Sequence, residues 1–244
     1  ARFLIENGTN ITIEPDPDCP LDDLCCFITG VAWTVINYQR GCDLLKGTLI
    51  ELNQKTWLIS GVSPIGSSTF SLAMNTYLGA KIISDDFCSY HHINQDVIVN
   101  QGMPALKLWQ NTLKFFDYDS SELTKIRTKL NKFWLPNNVI TPTKIIPMQT
   151  FKLEGIIGLQ QWRSDDKSML GVKRLSGFSA LKRAYHHGTH RVYLNASDSL
   201  QRKFNQDLQL VQQCKILSFT FNREWSSLKS DCELLAHQLM NEIK

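Results

Sequence analysis

The feature that most constrains this chain is a phosphate-loop motif with one residue exchanged. Residues 56–69 read TWLISGVSPIGSST. The pattern G-x-x-x-x-G-K-[ST] is met by Gly61, Gly66 and Ser68, while Ser67 stands where the lysine belongs. Ahead of it Trp57, Leu58 and Ile59 form a short apolar run, and behind it Phe70, Ala73, Met74 and Tyr77 recur at helical spacing. The loop is therefore expected between a strand and a helix, where backbone amides can cradle a phosphate. Such a unit belongs to an α/β protein, and its open question is what replaces the missing cation.

The 244 residues, 43 % hydrophobic, suffice for one large α/β domain or two small ones. No internal repeat or long linker divides them. We expect a single α/β domain with a mixed sheet flanked by helices. It comprises an N-terminal hairpin and helix (1–47), a phosphate-loop core (48–116) and a C-terminal strand and helix region (117–244). Basic and acidic residues are interleaved and the formal net charge is only +3, so nucleic acid is not an expected partner. Mean hydropathy is −0.19. No apolar run of about 18 residues and no signal-peptide core is present, so neither a membrane span nor secretion is expected. The seven cysteines are an odd set without C-x-x-C spacing, which argues against a zinc site or disulfide framework and favours a cytoplasmic location. Cys25 and Cys26 read as small core residues.

Periodicity places a hairpin over the first 15 residues around Asn7-Gly8. A helix opens at Pro20, with Leu21, Leu24, Cys25, Ile28, Val31, Ala32 and Val35 on one stripe, and ends near Gly41. Strands follow at 48–52 and 56–60, then the loop helix capped by Gly79, then a strand over 81–84 that ends in Asp85-Asp86. Paired carboxylates at a strand end beside a phosphate loop lie where magnesium is held. Farther on, Leu106, Leu108, Trp109 and Leu113 read as a helix, and 117–150 as loops around one or two short strands. A strand over 153–159, a polar turn over 163–167 and a helix over 178–185 come next. Leu200, Phe204, Leu208 and Val211 stripe another helix, followed by a strand over 215–221 and a terminal helix striped by Leu228, Cys232, Leu235 and Leu239.

The remaining polar constellations are weaker. His186, His187 and His190 form H-H-x-x-H without a metalloprotease glutamate, which favours a polar surface over a metal site. His91-His92 reads as a loop pair near the aspartates. Arg127, Lys129 and Lys132 read as a solvated basic face, and the six tryptophans as core.

Together these pieces resemble the HPr kinase/phosphorylase-like serine kinases, in particular their short relatives such as lasso-peptide precursor kinases. The loop Gly61–Thr69, LGAKIISDD (78–86), GMPALKLWQNTL (102–113) and the lead-in QRGCDLLKGTLIELNQKTWLISG (39–61) carry the resemblance in the family's order. It implies an HPr kinase-like phosphate-loop domain that uses ATP and Mg2+ to phosphorylate a serine on a small protein or ribosomal peptide, in an assembly that is often oligomeric. No heptads argue for such an assembly here. By position, Gly61, Ser63, Gly66, Ser67, Ser68 and Thr69 would hold the nucleotide phosphates. Ser68 and Asp85 would hold the metal, and Asp85 and Asp86 would be the catalytic carboxylates. The lysine has no equivalent, and the lead-in histidine of the family is Lys46 here. Lys46, Lys182, Arg183 and Arg127 are candidates for the missing charge. The alternative is a degenerate relative that binds a peptide or partner without chemistry.

Overall fold

The computed structural model describes residues 1–140, 149–161, 170–187 and 197–242. It opens with a hairpin of β1 (Arg2–Glu6) and β2 (Asn10–Glu14), whose turn uses positive φ at Asn7 and Gly8. One helical segment follows: α1 (Leu21–Phe27), a π turn (Ile28–Ala32) and α2 (Trp33–Gln39). β3 (Asp43–Lys46) and β4 (Thr48–Leu52) are nearly continuous, bent at Gly47. A Cβ at Gly47 would lie 2.5 Å from the Ile59 carbonyl oxygen, so the bend requires glycine. β5 (Lys55–Ser60) leads through the phosphate loop into α3 (Ser67–Leu78), which Gly79 closes at φ 68° as its spacing predicts.

Next come β6 (Lys81–Ser84), β7 (Phe87–Ile93), β8 (Asp96–Asn100), β9 (Ala105–Trp109) and α4 (Gln110–Phe115). After a short 3-10 turn (Ser120–Glu122) lie β10 (Lys132–Pro136), α5 (Asn137–Ile140), β11 (Thr150–Gln161) and β12 (Gly171–Arg174). The described chain ends with α6 (Gly177–His187), α7 (Ser197–Gln213), β13 (Lys215–Phe221) and α8 (Leu228–Glu242).

β11 organises the sheet. Its first residues pair antiparallel with β8, and the rest runs parallel between β5 and β13. The resulting nine-stranded mixed sheet has the order β3-β7-β8-β11-β5-β4-β6, with β13 added on β11 and β12 on β13. Strands buried on both faces carry continuous apolar runs, and Leu58, Ile59, Ile156, Ile157, Ile216 and Leu217 are all buried. One core packs this sheet against α3, α8 and the separate ribbon of β9 and β10, and the other packs it against α6 and α7. The α8 stripe Leu228, Cys232, Leu235 and Leu239 is buried as its period predicts. The cysteines are all free, and no described helix is long and apolar enough to cross a membrane.

Four expectations are corrected. Trp109 closes strand β9 rather than sitting on a helix, because residues 105–109 alternate, with Leu106 and Leu108 in the core and Lys107 and Trp109 on the other side. His91 and His92 lie within β7, paired with Ile98 and Val97 of β8, and not in a loop. On the N-terminal helix, α1 buries no residue, so Leu21 and Cys25 are exposed, and Val31 in the π turn is exposed too. Ala32 is buried as its stripe predicts, and past the π turn Ile36 and Asn37 turn inward in place of Val35. Along α7 the inward positions are Lys203, Asp207 and Leu210, which leaves Phe204 and Leu208 exposed. The polar turn at 163–167, Trp162 and His190 lie outside the described residues, as do residues 141–148 of the expected loops.

Candidate functional site

The parallel strands β5, β11 and β13 end on one edge of the sheet, where open α/β sheets hold their ligands. A cleft of about 430 Å³ opens there. Lys46, Gly61, Ser63, Gly66, Ser67, Ser68, Thr69, Asp85 and Asp86, all expected at the site from the sequence, line it. Gly66 precedes α3 at φ 97°, and no side chain caps the helix. Phe70 N–H closes the first turn on the Gly66 carbonyl at 2.8 Å, and the residues ahead of it, Ser67, Ser68 and Thr69, line the cleft. Within the loop, Ile65 N–H bonds Val62 at 2.9 Å, and the Arg223 guanidinium donates to the Pro64 carbonyl.

Asp85 ties the loop helix to the sheet. Its Oδ2 accepts from Ser68 Oγ at 2.8 Å and from the Lys107 N–H at 3.0 Å, and its Oδ1 accepts from Thr48 Oγ1 at 2.6 Å. The carboxylate is buried, so these three donors are what make its charge tolerable there. Asp86 is held differently. Phe87 N–H bonds back to the Asp85 carbonyl at 3.1 Å, closing a three-residue turn in which Asp86 takes φ 72°. Non-glycine residues adopt that conformation at a cost, and such strain gathers at functional sites. Lys107 Nζ reaches the Asp86 Oδ2 at 2.6 Å, and 22 % of the Asp86 side chain stays exposed.

A second wall of the cleft was missed by sequence reasoning. β9 and β10 pair antiparallel with Lys132 opposite Trp109 and Trp134 opposite Lys107. Both lysines lie over the ring across from them, Lys107 Nζ at 4.7 Å from the Trp134 centroid and Lys132 Nζ at 5.6 Å from that of Trp109. The signal was present as K-x-W at 107–109 and again at 132–134, one face of each strand. Lys132 is thus no part of a solvated basic face, and Trp109 and Trp225 line the cleft instead of filling a core. Trp225 stacks on Phe115 at 4.4 Å. Of the described tryptophans only Trp57 is fully buried.

Several named cations do not reach the cleft. Arg127 pairs with Asp23 at 3.6 Å and covers the Phe27 ring. Arg183 lies 3.5 Å from Ser218 on the α6 side, where burial lowers its pKa, and Lys182 shares that helix. His91 and His92 also lie away from it, and His92 Nδ1 meets Gln213 at 2.6 Å.

Fold and cleft define a mixed α/β protein with an open cleft at a strand–loop–helix junction whose loop carries no lysine. No family model matches the sequence, and no curated protein matches it. Among solved structures it is similar to the HPr(Ser) kinase/phosphatase from Coxiella burnetii, with 12 % identity and a TM-score of 0.44. That likeness covers 82 % of this chain and 98 % of the other. It assigns no residue, so the functional reading below rests on the cleft itself.

Proposed function

We propose that the cleft binds ATP and transfers its terminal phosphoryl group to a serine hydroxyl of a small protein or ribosomal peptide. The observation that supports this most is the Ser68–Asp85 contact of 2.8 Å, which joins the first turn of the loop helix to the strand end carrying Asp86. Hydroxyl, buried carboxylate and neighbouring carboxylate are the parts that phosphoryl transfer asks of a protein, since its catalysis is mostly positioning and charge stabilisation.

Among the described residues no group of three or more His, Cys, Asp or Glu is placed to hold a metal ion. Magnesium in phosphoryl-transfer sites takes most of its ligands from phosphate and water and needs only one or two protein oxygens. The Ser68 hydroxyl and Asp85 carboxylate fit that demand, and Mg2+ bound there would offset charge on the phosphate oxygens. In this reading the loop amides and Ser63, Ser67 and Thr69 orient the phosphates, and Lys46 flanks them at the Gly47 bend. Asp86 takes the proton of the attacking serine hydroxyl. A new bond forms from that oxygen to phosphorus while the bond to the leaving ADP oxygen breaks. Lys107 holds the Asp86 carboxylate in place for this step.

Ser67 favours one rival, a domain that keeps the shape but binds a peptide or partner without transfer. Isothermal titration with ATP, with and without magnesium, separates them. Saturable binding that strengthens with magnesium in the wild type, and loses that increment in Asp85→Asn, is expected. No heat of binding at millimolar ATP would leave the binding module as the surviving reading.

A further inference from the structure

One face of the β9–β10 ribbon carries a checkerboard of Lys107, Trp109, Lys132 and Trp134, and the first three of these line the cleft. Its other face, Leu106, Leu108, Phe133 and Leu135, is buried in the core, so the ribbon is anchored and its lysines have little freedom to move away. The two lysines differ in what neutralises them. Lys107 is committed to Asp86 at 2.6 Å. Lys132 makes no ion pair among the described residues and rests only on the Trp109 ring. Burial pushes its pKa below that of an ordinary lysine. Asp85 and Asp86 pull it back up, and Lys107 and Lys46 push it further down. A half-buried ammonium that forms no close ion pair and feels these carboxylates only at longer range is costly, and it is retained most readily where an anionic ligand completes it.

Position points the same way. Trp109, the cross-strand neighbour of Lys132, leads directly into α4. There Thr112 Oγ1 lies 3.0 Å from Thr69 Oγ1 in the first turn of α3. The Lys132 end of the ribbon is therefore tied through α4 to the first turn of the loop helix, and Lys132 and Ser67 line the same cleft. The other cations of the cleft are held by other partners. Arg223 is bound to the loop itself through Pro64 and to Gln161 at 3.2 Å. Lys46 rests over the Phe87 ring at 5.6 Å, on the strand side of the Asp86 turn.

We infer that Lys132 supplies from the ribbon the positive charge that the phosphate loop has lost at position 67, gripping the terminal phosphates of the bound nucleotide. This rests on the ATP reading above and adds a phosphate-binding residue from a different element. It makes the Lys/Trp ribbon a necessary wall of the site: the aromatic rings hold two ammonium groups apart, one steadying Asp86 and the other facing the phosphates.

The test is the affinity for ATP with magnesium, measured by titration calorimetry on the full chain beside the affinity for AMP. Lys132→Met keeps the stem that covers Trp109 but removes the charge. Losing a charge-assisted contact of this kind weakens binding about 10- to 150-fold. ATP affinity should fall by that factor while AMP affinity stays near wild type, Lys132→Arg should retain most of it, and Lys46→Met should cost less. Adding Ser67→Lys to Lys132→Met should restore tight binding by returning the cation to the loop, an outcome that a packing defect would not give. Wild-type ATP binding with Lys132→Met within about twofold of it would overturn the inference and leave the ATP reading standing. Equal losses in the Met and Arg variants, or losses for ATP and AMP alike, would assign Lys132 a structural role and overturn it too. A wild type that binds no ATP would remove both.

Discussion

In the cleft, Asp85 and Asp86 meet Lys107; beneath α7, Asp43 and Asp207 meet Lys203, and the same trio of two aspartates and a lysine is put to opposite ends. Under α7 the Lys203–Asp207 ion pair is almost completely buried, at 3 % and 1 % side-chain exposure. Asp43 lies close by, with Arg202 at 3.9 Å. Burial raises the pKa of both Asp43 and Asp207 against the pull of Lys203, and raises that of Tyr90. The Tyr90 hydroxyl and Asp207 Oδ2 have no hydrogen-bond partner among the described residues. Lys203 offsets only part of the cost of burying these two acids. Asp85 is just as buried, yet hydroxyls and an amide compensate it. Such donors can reorient to share the carboxylate with a ligand. An acidic cluster becomes a site through neutral partners and an open side, not through burial.

The largest effect expected from this contrast is in the cleft. Asp86→Asn should leave the thermal melt near wild type, because the side chain is partly exposed and the amide can keep a hydrogen bond. Phosphoserine formation on a bound small protein or peptide, read by intact mass, should drop by about 10²–10⁴-fold, the usual worth of a positioned base. Turnover unchanged by Asp86→Asn would show that the strained turn serves folding alone and would erase the functional half of the comparison.

Beneath α7 the same kind of change should strike stability instead. Lys203→Met leaves Asp207 and Asp43 as neighbouring buried carboxylates, and removing one partner of a buried pair costs about 3–5 kcal/mol. Lys203→Met with Asp207→Leu should recover most of that loss, since apolar replacements of similar volume are often neutral. Chemical denaturation reads both, and ATP affinity should be unchanged in whichever variants fold. A single variant as stable as wild type would mean that water, not Lys203, balances the acids.

These two clusters also mark what the sequence could and could not reveal. The loop and the Asp85-Asp86 strand end were legible because each is a contiguous run with fixed spacing, and the fold puts both on one sheet edge. The ribbon was not, because Lys107 and Trp134 meet only when two distant strands pair, and α4 starts at Gln110, which lent Trp109 a helical look. On α7, periodicity assigns the inward face to apolar residues, so Phe204 and Leu208 were chosen. No period count can foresee that an ion pair at i and i+4 takes the inward positions and turns those side chains to solvent. The π turn after α1 defeated the far end of the stripe for a related reason, since one inserted residue shifts the phase of the positions beyond it and turns Ile36 and Asn37 inward in place of Val35.

The smallest expected effect tests whether the α7 cluster is as dry as its geometry implies. Asp43 titrates above the ordinary 3.8, with burial the leading cause, and Arg202, Lys203 and His92 act against it. A carboxyl group with a raised folded-state pKa binds its proton more tightly folded than unfolded. Its contribution to stability is therefore full below about 3.8 and is lost as pH rises through the folded value. Asp207 shifts in the same direction and acts in the same window. Asp43→Asn keeps the shape and removes the charge, leaving Arg202, which is 44 % exposed, to water. Melting temperatures of the variant and wild type, compared from about pH 4 to about pH 7, should diverge in favour of the variant as pH rises. Because the cleft aspartates are present in both proteins, their titration cancels in the difference. A gap that is flat across the range, or that closes toward neutral pH, would mean that Asp43 is stabilised as a charge, and the two clusters would then be balanced in the same way.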